Sequence, residues 1–137
     1  MTDPRNQLAA VILIIDDNAP TLLLLKELLL AAFPVCRILG AESAEHGLEL
    51  CADHAPHVVV MDIALPGMDG IEAARRIKSL LPDTHVVMHS SHDMDIYRDA
   101  SAAAGASAFV AKSRTFSDLV PAVAGLFSPG LPRFSGG

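Results

Sequence analysis

The chain is poor in the residues that mark the commoner alternatives to an ordinary intracellular domain. It has two cysteines, Cys36 and Cys51, too few for the disulfide framework of a small secreted fold. Both thiols are therefore expected to be reduced, in a cytoplasmic setting. No window approaches the ~18 uncharged apolar residues of a membrane span. The longest uncharged stretch, 119–132, is broken by Pro121, Gly125, Pro129 and Gly130. The start, MTDPRNQ, lacks the basic opening of a secretory signal. Lysine and arginine form no cluster and the net charge is −6, which argues against direct nucleic-acid binding by this chain. Neither GxxxxGK[ST] nor GxGxxG occurs, so a nucleotide cradle is not expected.

What is present is a core. Of 137 residues, 51% are hydrophobic and 19% charged, and the mean hydropathy is +0.39, a balance that excludes a disordered chain. One domain of this size buries about two-thirds of its unfolded surface without a staple. Continuous apolar runs alternate with helical stretches. Residues 10–15 (AVILII) and 57–61, with VVVM at its centre, read as strands buried on both faces. Weaker strands are expected over 35–39, where Arg37 interrupts, over 84–89 and over 108–111. Between them, helices are expected over 22–33 with Pro20 in the first turn, from Ser43 to about Asp53, and from Asp69-Gly70 to about Leu80. Two more are expected over 93–104, stopped by Gly105, and from Thr115 or Ser117 to about Phe127. Five strands alternating with five helices give an α/β fold, a doubly wound parallel sheet with helices on both faces. The segments outside it are an N-terminal extension (1–9) and a Pro/Gly/Ser-rich tail or linker start (128–137), leaving the domain at 10–127.

Polar residues collect where the strands stop. Asp16 and Asp17 follow the first strand, Asp62 the third, Ser90 and Ser91 the fourth and Lys112 the fifth. Ligands of open α/β sheets bind beyond the carboxyl ends of the strands, where strand order reverses. With the order 2-1-3-4-5, strands 1 and 3 flank that point and bring Asp16, Asp17 and Asp62 together. Three carboxylates ionised at pH 7 repel one another unless a hard cation sits among them. Oxygen-only donors favour Mg²⁺ or Mn²⁺. A lysine and a hydroxyl converging there supply a point charge and a donor for a phosphoryl group. A carboxylate is then the candidate acceptor, forming an aspartyl phosphate.

The motifs IIDDNAP (14–20), VVVMDIALPGMDG (58–70), VVMHSS (86–91) and GASAFVAKS (105–113) together resemble the receiver domain of bacterial two-component response regulators. Asp62 to Ser90 spans 28 positions and Ser90 to Lys112 spans 22, as in that family. The resemblance implies the flavodoxin-like order 2-1-3-4-5. It makes Asp62 the phosphoacceptor, and Asp17, Asp16 (mostly through water) and the Ala64 carbonyl the remaining protein ligands of Mg²⁺. It further makes Ser90 the hydroxyl that meets the phosphoryl group, Lys112 its cationic partner, and Phe109 the switch aromatic. Ala64 and His92 occupy positions that tune dephosphorylation. The implied partner is a sensor histidine kinase or phosphotransfer protein, and the implied output a reshaped face of the fourth helix, fifth strand and fifth helix. Such a chain is a signalling switch rather than an enzyme. Homodimerisation is compatible with it, and DNA would be reached only through a further domain. Ser113 follows the lysine where many receivers carry proline; the Lys-Ser pair resembles regulators with a LuxR-type helix-turn-helix output.

Rival readings assign the same residues differently. Asp16-Asp17 alone would be turn and cap residues, Lys112 a solvated surface charge, and Phe109 core filler. Pro66-Gly67 and Asp69-Gly70 are turn chemistry that holds the loop after Asp62. His54/His57 and His89/His92 have the HxxH form, but zinc is not expected, because the pairs fall at opposite ends of the sheet. His89 has no assigned role. The cysteines are expected to be small buried hydrophobes. A surplus of exposed leucine in LLLLKELLL would point to dimerisation. At the level of the whole chain, the alternatives are a degenerate receiver serving as an interaction module and a small aspartyl-phosphate hydrolase.

Overall fold

The computed structural model describes residues 10–92 and 94–127. Strands β1 (Val11–Ile15), β2 (Arg37–Ala41), β3 (Val58–Met61), β4 (His85–Ser90) and β5 (Ala108–Ala111) alternate with helices α1 (Ala19–Ala32), α2 (Ala44–His54), α3 (Gly70–Leu80), α4 (Asp95–Ala103) and α5 (Thr115–Ala124). A 3₁₀ turn, Lys112–Arg114, joins β5 to α5. The strands form one parallel sheet in the order β2-β1-β3-β4-β5, as expected. The register places Ile15 beside both Ala41 and Met61, Met61 beside Met88, and Ser90 beside Ala111. These pairings align the carboxyl ends of all five strands at one rim.

Alternate residues of each strand feed two cores. On one face Leu13, Ile15, Val59, Met61, Val86 and Met88 pack under α2 and α3 through Ala44, Cys51, Ala73, Ala74 and Ile77. On the other, Ile12, Ile14, Val58, Val60, Val87 and Val110 meet Leu22, Leu25 and Leu29 of α1 and Leu119 and Val123 of α5. Burial on both faces is why the central strands read as unbroken apolar runs. Cys51 is fully buried, and burial pushes its thiol up to about 11. Cys36, expected to be buried, is only partly so.

Several boundaries differ from expectation. β2 starts at Arg37 and ends at Ala41; Val35 lies in the preceding turn and is 82% exposed. As an edge strand β2 needs no continuous apolar run, so Arg37 opens it instead of interrupting it. β4 runs one residue further than expected and incorporates Ser90. α1 begins earlier, at Ala19, because the Asn18 side chain accepts the Thr21 N–H and caps it. α4 starts at Asp95 without a side-chain cap, and the expected first residue, Asp93, lies outside the described residues. Gly105 sits at φ +101°, the left-handed stop expected of it. Thr115 and Ser117, the expected caps of α5, do not cap it; Arg114 holds that position without a side-chain capping bond, and the Thr115 hydroxyl turns back to the Lys112 carbonyl (2.9 Å). The leucine-rich α1 buries Leu22, Leu25 and Leu29 and leaves Leu23, Leu24 and Leu30 exposed. No described helix is long and apolar enough to cross a membrane.

Candidate functional site

The ends of β1, β3 and β5 deliver the acidic residues and the lysine to one spot. Asp16 leaves β1 with its N–H on the Ala41 carbonyl (3.0 Å), and Asp62 leaves β3 with its N–H on the Ile15 carbonyl (3.1 Å). Sheet hydrogen bonding therefore continues one residue past each strand and fixes both backbones. One oxygen from each of Asp16, Asp17 and Asp62 lies within 4.8 Å of the others. Asp16 and Asp62 are buried, whereas Asp17 is exposed at the rim.

Each carboxylate is partly committed. Asp16 Oδ1 accepts the Asn18 N–H (2.9 Å), and Asp62 Oδ1 accepts the Ala64 N–H (3.0 Å). Lys112 Nζ donates to Asp62 Oδ2 (2.8 Å) and lies 3.4 Å from Asp16 Oδ2. Asp16 Oδ2 is buried without a hydrogen bond. The Lys112 ammonium at 3.4 Å therefore compensates the buried charge only in part. Burial accordingly raises the Asp16 carboxyl above its ordinary range. The Asn18 amide and Lys112 oppose that shift, and the nearby Asp62 reinforces it. At Lys112 burial works against the charge, but the bond and attraction from Asp62, with Asp16 behind, outweigh it and raise the ammonium.

The donor set suits a hard divalent cation. Oxygens around octahedral Mg²⁺ at about 2.1 Å lie roughly 3–4 Å apart, so a slight contraction of the trio would enclose one. Asp16 Oδ2, buried without a hydrogen bond and only 3.4 Å from the Lys112 ammonium, is what such an ion would satisfy.

The fourth strand brings the hydroxyl. Ser90 is fully buried and its Oγ accepts the His92 N–H (2.9 Å), while Ser91 is exposed. His92 is exposed, with its ring 5.3 Å from that of Tyr97. Gly70 backs the loop after Asp62: its N–H donates to the Ile63 carbonyl (2.8 Å), and a Cβ there would collide with the Asp62 carbonyl. Only glycine permits that approach. Phe109 is half-buried on the edge strand, with the Arg98 guanidinium 4.5 Å above its ring.

A family model described as "Response regulator receiver domain" matches residues 12–124. The chain belongs to the response regulator receiver family. Receiver domains are signalling switches that act with histidine kinases or phosphotransfer proteins and generally bind Mg²⁺. The chain is 34% identical over 108 residues to transcriptional regulatory protein MctR of Rhizobium johnstonii, covering 78% of this chain and 50% of that protein. It is 33% identical to chemotaxis protein CheY of Bacillus subtilis over 102 residues, covering 74% and 83%. Among solved structures, a receiver domain from Clostridium thermocellum superposes with a TM-score of 0.81 at 27% identity, covering 88% of this chain and 96% of that one. A LuxR-family response regulator from an Aurantimonas species gives 0.78 at 29% identity, covering 84% and 82%. The chain spans about half the length of MctR.

One residue of this receiver had no role in the sequence. His89 is 2% exposed, and its Nε2 lies 2.7 Å from Thr115 Oγ1. A polar residue on the apolar face of β4, with a threonine three positions after the lysine, was the available signal. The other HxxH histidines are dispersed: His57 Nδ1 accepts the Val11 N–H (3.3 Å), and His54 closes α2.

Proposed function

We propose that Asp62 accepts a phosphoryl group from the phosphohistidine of a sensor kinase or phosphotransfer protein, and that the chain thereby acts as a two-state switch. The observation that carries this is the 2.8 Å contact of Lys112 Nζ with Asp62 beside the Asp16–Asp17 carboxylates. Asp16, Asp17, Asp62 and the Ala64 carbonyl would hold Mg²⁺, or Mn²⁺ in its place, which supplies charge neutralisation at the transferring group. An Asp62 oxygen attacks phosphorus in line, the P–N bond breaks and the imidazole leaves with a proton. Lys112 neutralises charge on the phosphoryl oxygens, and the Ser90 hydroxyl donates to one of them. The Ala64 N–H donates to the Asp62 carboxylate, and the Ala64 and His92 positions would tune dephosphorylation.

The readout is the face of α4, β5 and α5. Withdrawal of Ser90 toward the phosphoryl group makes room for Phe109 to turn inward, a population shift biased by the modification. That face carries Ile96 (67% exposed) and Phe116 (74% exposed), apolar surface suited to a protein partner. The receiver unit is 10–127, with 1–9 an N-terminal extension and 128–137 a tail or linker start. Its setting is the cytoplasm and it acts through protein contacts, with which homodimerisation is compatible; DNA would be reached only through an output domain and not by this chain itself.

Incubation with phosphoramidate or acetyl phosphate and Mg²⁺ tests the reading by mass. A gain of one phosphoryl group, absent in Asp62→Asn, is expected. Turnover without an adduct would make the chain a hydrolase, and neither result would make it a degenerate interaction module.

A further inference from the structure

We propose that His89 is a positioning residue for Lys112, acting through the Thr115 hydroxyl to pin the turn after β5 to β4. The proposal deepens the reading of Asp62 as phosphoacceptor and rests on it. Thr115 Oγ1 donates to the Lys112 carbonyl (2.9 Å). Its single proton is thereby used, so its oxygen accepts from His89 Nε2–H across 2.7 Å. The same Lys112 carbonyl also accepts the Thr115 backbone N–H. The turn that launches the lysine is thus held from two sides, one of them a side chain of a neighbouring strand.

The imidazole is badly placed as mere filler. Val87, Val110 and Leu119 line that face of the sheet, Asp62 follows the Met61–Met88 pair beside it, and the imidazole Nδ1 is buried without a partner. Leucine would fill such a space without an orphaned acceptor. What leucine lacks is a donor aimed at Thr115. Burial, with Lys112 adding to it and Asp62 opposing, depresses the imidazole to about 4. It therefore stays neutral, with its Nε2–H in place, near neutral pH.

The consequence is geometric. A lysine reaches its target on a flexible four-carbon stem, so the placement of Nζ depends on where the backbone starts. Ser90, next in the chain to His89, faces the opposite side of β4 and donates to the phosphoryl group in the proposed chemistry. The relay sets the lysine's anchor on the same strand as that serine, so both groups meet the phosphoryl in fixed register.

Phosphorylation by phosphoramidate at saturating Mg²⁺ tests this in the full chain. His89→Leu and Thr115→Val should each lower the maximal rate about tenfold. Combined, they should lower it no further than either alone. Thr115→Ser, which keeps the hydroxyl, should remain within about twofold of wild type, and the Mg²⁺ concentration giving half the maximal rate should not move. In His89→Leu the melting temperature at pH 7 should hold or rise, while the NMR signal of the Lys112 ε-methylene shifts toward that of a freely rotating lysine. Unchanged rates in folded His89→Leu and Thr115→Val would overturn the positioning role and leave the phosphoacceptor reading standing. So would rate losses that merely track a fall in melting temperature. A wild-type chain that takes up no phosphoryl group would overturn both. If His89→Leu does not fold, the Thr115→Val and Thr115→Ser pair decides alone.

Discussion

Lys112 Nζ and Asp62 Oδ2 lie 2.8 Å apart across two strand spacings and fifty positions of sequence. The lysine occupies ground that a divalent ion would share, since it also stands 3.4 Å from Asp16 Oδ2. In the proposed chemistry, charge and metal would compete for the same carboxylates before phosphorylation and cooperate on the phosphoryl oxygens during it. Lys112→Met should separate the two effects. Mg²⁺ affinity should hold or improve as the competing cation is lost, while the phosphorylation rate falls by about two orders of magnitude with its electrostatic partner. Mg²⁺ titration followed by thermal melting, beside mass-detected phosphorylation, measures both.

Asp16 and Asp17 should respond differently to amide substitution. Ionised Asp16 is buried with one oxygen lacking a hydrogen bond, and its raised carboxyl means that folding shifts it toward the neutral form. The resulting destabilisation is present above the folded pKa and vanishes below the unfolded one. Asp16→Asn should thus melt higher than wild type without metal at pH 7. Asp17 is exposed, and Asp17→Asn should leave the metal-free melting temperature within about 1–2 °C. Mg²⁺ at ten times its Kd should stabilise wild type by about 1.4 kcal/mol, and either substitution should remove most of that gain. Equal Mg²⁺ shifts in wild type and Asp17→Asn would remove the metal site.

Much of this was legible in the sequence because the central strands carry their own signal. VILII and VVVM are buried on both faces, so their apolar runs mark strands, and the acids that end them mark the rim of the sheet. The assembly of Asp16, Asp17, Asp62 and Lys112 follows from strand order. Edges were harder to read. β2 mixes Arg37 with Gly40 and is set by pairing to β1; the run 35–39 misled because Val35 is a turn residue. The role of His89 was hidden for another reason. It depends on a hydroxyl 26 positions away whose direction is fixed by a 3₁₀ turn that no local pattern announces.

Gly70 makes a prediction about the loop that carries Asp62. A methyl group there would strike the Asp62 carbonyl and crowd the Ile63 Cα, 2.8 Å away. Backbone, unlike a side-chain tip, cannot swing aside. Gly70→Ala should therefore destabilise the fold by about 1–3 kcal/mol, despite the better helix propensity of alanine, and should slow phosphorylation beyond what stability explains. Gly125 is the control: a Cβ there meets nothing closer than 3.5 Å, so Gly125→Ala should be near neutral.

The buried imidazole predicts how stability depends on pH. His89 titrates near 4 in the folded chain, chiefly through burial and secondarily through the Lys112 ammonium, with Asp62 opposing, against about 6.5 when unfolded. Between those values the unfolded chain holds a proton that the folded chain refuses. Stability from this group is complete above about pH 6.5, declines by about 1.4 kcal/mol per unit as pH falls, and levels off below about pH 4. The groups facing His89 are Thr115, Lys112 and Asp62, of which the lysine stays charged throughout this window. Between pH 7 and pH 5, wild type should lose about 2 kcal/mol more than His89→Leu, because the leucine variant keeps every other titrating group. Parallel curves from urea unfolding at the two pH values would mean that the imidazole can accept its proton in place, through its bare Nδ1, without leaving the core.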